Sequence, residues 1–249
     1  MDDLNATAGA QSLRRALQLL RLLAQHQEGG LKLSEVITAS GLERSTVHRL
    51  LSCLVEEQFA EREADGKAYR LGIEAMQLGF ASMRRTPLVE SCRALMQKLA
   101  RLSGDTVFLV IRQGDYCVCL HREEGHFPVK VFTTDVGERR LLGIGAGGLA
   151  LMATCADAEI RNALERHADQ YAQAGFTAAD MMLAVQRTRK TGYADITDTI
   201  TTGVSGVGRT FAVSPTTSAA ISFGAISPRL PPARKEEMAQ LLLEHLPRP

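Results

Sequence analysis

The apolar residues of this chain change their prevailing period near Gly104, and that change restricts the fold more than any single motif does. Before Gly104, apolar positions recur at three- and four-residue intervals, as on packed helices. After it come runs rich in Val, Ile, Thr and Cys that alternate as strands do. A chain of 249 residues with such a break has room for two modest domains. The expectation is a mainly α N-terminal domain followed by an α+β domain built on a mostly antiparallel sheet.

Within the first part, residues 1–11 form a polar tail. A first helix starts at Ser12, with Ser12 as its cap and Leu13, Leu17, Leu20 and Leu23 inward, and ends at Gly29-Gly30. A second starts near Ser34, buries Val36 and Ile37, and stops at Gly41. A third covers about Glu43 to Glu57, with Val47, Leu50, Leu51 and Leu54 on its inner stripe. Two short strands, Ala60–Glu63 and Ala68–Leu71, flank Asp65-Gly66, a strong hairpin signal. The helical segment 73–86 links this 12–72 domain to a second domain over 87–249.

The third helix carries the chemistry of interest. Arg44, Ser45, Thr46, His48, Arg49 and Ser52 make a compact polar outer stripe. A helix of this kind fits the DNA major groove, where Arg bonds guanine edges and Ser or Thr meets phosphates. Ser34 opens a helix whose first amides suit a phosphate. Lys67 and Arg70 flank the hairpin, and Arg14 (with Arg15) lies on the first helix, each within reach of backbone phosphates. The same stripe also suits an ordinary solvated helix face, and residue type alone leaves both open.

Charge does not choose between them. The whole chain carries a formal +1, and residues 1–86 hold 11 basic and 11 acidic side chains. Binding by bulk positive charge is therefore excluded, and any DNA affinity must come from where the cations sit. The five cysteines show no CxxC spacing, which points to a reduced cytoplasmic protein without disulfides, zinc or another metal. No export signal or membrane span is expected. His121, His126 and His167 are scattered and no serine sits in a nucleophile-elbow pattern, so neither an enzyme nor a cofactor is expected.

Past Gly104, strands are expected at Thr106–Arg112, Tyr116–Arg122, Val129–Thr134, Tyr193–Asp198, Ser205–Val213 and Ser218–Ser227. Helices are expected after the glycines of Leu141–Ala153, at Ala156–Arg166, at Ala178–Thr191 and at Pro231–Leu246, the last with Met238, Leu241, Leu242 and Leu246 inward. Gly145, Ala146, Gly147 and Gly148 lie where a loop feeds a helix. They suit either close approach of a ligand or tight helix-on-sheet packing.

Residues 12–72 resemble the winged helix-turn-helix of IclR-type bacterial transcription regulators. The likeness is carried by SLRRALQLLRLLA, by GLERSTVHRLLSCLVEEQF and by a hairpin ending in YRLG. The later segments VGERRLLGIGAGGLALMA and KTGYADITDTITTGVSGVG are similar to the same family. The resemblance implies a GAF-like second domain that binds a small organic effector, a carboxylate or aromatic acid, and controls operator binding. It also implies a homodimer or homotetramer on a pseudo-palindromic operator, with repression as a common mode. On this basis the effector meets Leu109, Leu142, Gly145, Ala146, Asp195, Thr197, Gly206 and Ser222. Strand alternation turns Arg209 away from Gly206. Leu141-Leu142-Gly143 replaces a usual Pro-Leu-His and Thr199 a usual Glu, so a roomier, more apolar pocket is expected. The alternatives are a GAF-like enzyme, a redox sensor using Cys117 and Cys119, or a module that has lost DNA binding.

Overall fold

The computed structural model describes residues 9–63, 67–85 (side chains through 81), 88–214 and 217–247. The chain divides into two compact units, 1–87 and 88–249.

In the first unit, α1 (Gln11–Gln25) is followed by β1 (Leu31–Lys32), α2 (Leu33–Ser40) and α3 (Arg44–Glu56). Then come β2 (Ala60–Arg62), β3 (Ala68–Leu71) and α4 (Ile73–Arg85). Leu19 and Leu23 of α1, Val36 of α2 and Val47, Leu50, Leu51 and Leu54 of α3 close over Leu31, Ala60 and Tyr69. Leu13 and Leu17, expected inward, are exposed, because the helix turns Leu19 rather than Leu17 to the core. Ser12 and Ser34 are not caps. Ala10 precedes α1 without a side-chain bond, and Lys32 precedes α2, its amide donating to Glu35 Oε2 at 2.7 Å. Ile37 is only half-buried. The strands pair antiparallel in the order β1-β3-β2. The Asp65-Gly66 turn lies outside the described residues, but Glu63 and Ala68 on either side are bonded at 2.9 Å.

The second unit begins with α5 (Leu88–Ser103), β4 (Thr106–Gln113), β5 (Tyr116–Glu123), β6 (Arg139–Leu141), α6 (Ala146–Met152) and α7 (Asp157–Arg166). It continues with α8 (Ala168–Gln173), α9 (Ala178–Thr191), β7 (Ala194–Thr197), β8 (Val204–Ser214), β9 (Thr217–Ile226) and α10 (Pro232–His245). The strands form one antiparallel sheet, β6-β5-β4-β9-β8-β7. Alternation gives the sheet two apolar faces. Phe108, Val110, Cys117, Cys119 and Ile196 turn toward α6–α9. Val107, Leu109, Val207, Phe211, Ile221 and Phe223 turn toward α5 and α10. Leu241, expected inward on α10, is half-buried beside Met238, Leu242 and Leu246.

The expected strand at Val129–Thr134 is absent, and the partner of β5 is instead Arg139–Leu141. A side chain does what a ladder would have done, since Arg140 Nη2 donates to Thr133 O at 2.6 Å. Val129 and Phe132 stay exposed.

Candidate functional site

Two places collect chemistry-bearing side chains, one in each unit. In the first unit, α2 ends on Gly41, whose φ of 66° suits glycine, and α3 begins three residues later. That short turn between two packed helices is the helix-turn-helix geometry. It leaves Arg44, Ser45, His48 and Arg49 exposed on the side of α3 opposite Val47, Leu50 and Leu51, with Thr46 half-buried at the edge. Among the described residues, neither Arg44 nor Arg49 enters an ion pair. Ser34 is exposed in the first turn of α2, and Arg14 and Lys67 are exposed on α1 and beside β3. Arg70 differs from Arg44 and Arg49. It pairs with Glu63 at 2.5 Å across the hairpin, so its charge is already engaged.

In the second unit a cavity lies between the inner face of the sheet and the start of α6. Its floor is Phe108, Val110, Cys117, Cys119, Ile196 and Ser222, and Gly145–Gly148, Ile144 and Ile200 close it. About 50 Å³ is open to the centre of a water-sized sphere. At about 10–15 Å³ for one water, that holds about three to five such groups. The lining is mostly apolar as expected, but the room is smaller than expected. An open cleft adjoins it, with Arg140, Ile144 and Ile200 common to both and Gln173, Asp198 and Thr199 beyond.

The glycines beside the cavity serve packing. A Cβ on Gly208 would lie 2.7 Å from Ala146 O, and one on Gly147 would lie 2.7 Å from Val110 Cγ2. Both separations are below van der Waals contact, so bare backbone is needed to seat α6 on β4 and β8. Because α6 has only seven residues, its amide end is a weak anion site.

Of the eight positions expected at an effector, Gly145, Ala146, Gly206 and Ser222 line the cavity. Leu109, Leu142, Asp195 and Thr197 do not. Leu109 lies on the opposite face of the sheet, in the α5/α10 core. Leu142 packs behind the cavity, and its carbonyl accepts from Tyr171 Oη at 2.8 Å. Asp195 and Thr197 alternate with the inward Ile196 and are held from the outer face by Lys235, which bonds Asp195 and lies 2.6 Å from Thr197 Oγ1. Arg209 points outward as alternation requires, donating to Gly192 O at 2.8 Å.

Arg140 and the β4 side chains Phe108 and Val110 were not foreseen. Alternation on β4 could have found the pair, whereas Arg140 needs the register of an edge strand. It pairs with Cys117, so both face the cavity. Its Nη2 donates to Thr133 O at 2.6 Å and Glu138 Oε1 at 3.0 Å, while Nη1 is buried with no acceptor among the described residues. Cys117 and Cys119 are free, and burial pushes both thiols up to about 11. Neither is a thiolate at neutral pH, which argues against a redox switch.

Comparison with known proteins bears on both places. The IclR helix-turn-helix domain model matches residues 12–64, and the bacterial transcriptional regulator IclR C-terminal model matches residues 80–245. The chain is 30% identical over 241 residues to the HTH-type transcriptional regulator BhcR of Paracoccus denitrificans, covering 96% of this chain and 85% of that one. It is 25% identical over 192 residues to the transcriptional repressor IclR of Escherichia coli, covering 76% and 69%. An IclR family regulator from Brucella abortus superposes with a TM-score of 0.75 at 21% identity, over 99% and 97% of the chains. An IclR homolog from Microbacterium hydrocarbonoxydans, complexed with 4-hydroxybenzoate, gives 0.74 at 17% identity over 94% and 95%. Among the described residues no helix is long and apolar enough to cross a membrane.

Proposed function

Since the chain belongs to the IclR family of bacterial transcription regulators, we propose that it binds operator DNA through the outer stripe of α3, under control of a small organic acid in the cavity of the second unit. The observation that carries this reading is the stripe itself. Arg44, Ser45, His48 and Arg49 stand exposed beyond a three-residue turn, and neither arginine is in an ion pair among the described residues. In the major groove the two arginines bond guanine edges, and Ser45 and Thr46 take phosphates. Ser34, Arg14 and Lys67 hold the flanking backbone and fix register rather than sequence. Arg70 contributes only by exchanging Glu63 for a phosphate.

The proposed assembly is a homodimer or homotetramer whose paired α3 helices meet the two halves of a pseudo-palindrome. Leu13 and Leu17 of α1 and Met76, Leu78 and Phe80 of α4 are exposed apolar side chains available for subunit pairing. The helix α4 then carries effector state toward α3. The cavity's apolar walls, with polar groups few and placed, suit a short acid, and the adjoining cleft gives a longer or aromatic acid room to extend. The 4-hydroxybenzoate in the Microbacterium protein supports an acid of that kind.

The test is a gel shift with DNA upstream of the protein's own gene. Arg44→Ala with Arg49→Ala should weaken binding about 30-fold or more, since each bidentate base contact is worth about 1–3 kcal/mol. Unchanged binding by the double variant would remove α3 from the interface.

A further inference from the structure

We infer that Arg140 is the anion-reading residue of the cavity, holding the carboxylate of a small monocarboxylic acid at its mouth while the acid's apolar body points inward. The inference rests on the effector reading above and deepens it.

Arg140 lies on β6, the edge strand, directly opposite Cys117, whose side chain lines the cavity floor. With Ile144 and Ile200 it lines both the inner cavity and the open cleft. Two contacts fix that group, from Nη2 to Thr133 O at 2.6 Å and to Glu138 Oε1 at 3.0 Å. Nη1 is buried and has no acceptor among the described residues. A desolvated donor without a partner is costly, and of the described arginines with such a nitrogen Arg140 is the one that lines the cavity. A carboxylate is the acceptor that a guanidinium fork suits best.

The rest of the cavity gives the ligand its other features. Inward of Arg140 the walls are Phe108, Val110, Cys119 and Ile196, which offer no second cation. One charge is therefore matched and a second carboxylate is not. Glu138 is the anion already beside Arg140, but its side chain is 43% exposed and meets only Nη2. Ser222 supplies a hydroxyl on the floor, which suits a keto or hydroxy group on the acid's body.

The test uses the full-length protein and isothermal titration calorimetry. The probes are glyoxylate, pyruvate, benzoate and 4-hydroxybenzoate, each against its neutral amide. At least one acid should bind, and its amide should bind at least tenfold more weakly. Arg140→Gln should weaken that acid at least tenfold and bring it level with its amide, while Arg140→Lys, which keeps the charge, should recover part of the loss. Gly206→Val, which crowds the cavity wall against Phe223 O, Ala146 and Ile196, should abolish both. Thermal melts establish that each variant is folded, and the acid-to-amide ratio of the unaltered protein tests the charge reading without any variant. If Arg140→Gln keeps its affinity while Gly206→Val loses it, the cavity reading stands and the role of Arg140 falls. If neither variant changes binding, both fall. No acid binding better than its amide would also overturn the assignment.

Discussion

Asp115 sits in the turn between β4 and β5 and ties that hairpin to the end of α7. Arg166 donates to it through Nε at 3.0 Å and Nη2 at 2.9 Å, and His167 Nε2 lies 2.9 Å away. The Arg166 bonds hold the Asp115 carboxyl below the usual carboxylate range, with partial burial opposing and His167 assisting. A carboxyl whose pKa is depressed by folding stabilises the fold above its unfolded value, near 4. That contribution fades as pH falls through the folded value. Asp115→Asn should therefore cost on the order of 1 kcal/mol at pH 7. The gap from the unaltered protein should narrow as pH falls below the unfolded value and close once it is below the folded one, as urea titrations across pH would reveal. A gap constant from neutral to strongly acid pH would reject this account. At this scale the cavity was half legible. Gly145, Ala146, Gly206 and Ser222 line it, but the parity that turns Arg209 outward also turns out Asp195, which pairs with Val207. That register joins strands separated by a loop, so no local pattern carries it.

Elements with one strong apolar stripe were legible, and crowded or very short ones were not. The four inward positions of α3 are all buried. On α1, leucines crowd several faces, so the sequence offers overlapping stripes, and packing alone selects Leu19 and Leu23. The two-residue β1, the three-residue β6 and the six-residue α8 are too short to set a period. The glycine-rich approach to α6 was legible as a special place, and the structure gives its physical reason. Gly208 leaves space for the first turn of α6, where a Cβ would meet three backbone atoms, Ala146 O, Ala146 C and Gly147 N, at 2.7, 2.8 and 3.0 Å. Backbone cannot yield as a flexible side chain can. Gly208→Ala should then push α6 off the sheet and destabilise the protein by about 1–3 kcal/mol, the range for an overpacked core. The urea midpoint measures this, and a midpoint within error of the unaltered protein would show that α6 gives way at no cost.

At the scale of the whole molecule, charge is the constraint that shapes DNA affinity. Residues 1–86 are formally neutral, so long-range attraction to a polyanion is weak, and contacts must come from cations placed one by one. Such binding has a shallow salt dependence set by the number of phosphates each protomer neutralises, about 0.9 in log–log slope per phosphate on duplex DNA. Lys67, exposed beside β3, is a cation assigned to backbone rather than bases. In the proposed dimer each operator meets two copies of it. Lys67→Gln should thus reduce the slope of log K against log salt by about 2, with little change in preference among operator sequences. Fluorescence anisotropy with one operator between about 50 and 200 mM salt measures the slope. A decrease of about 1 would mean that a single wing is engaged and would remove the symmetric arrangement. An unchanged slope would take the wing off the DNA and leave α3 with Arg14 and Ser34 as the contact.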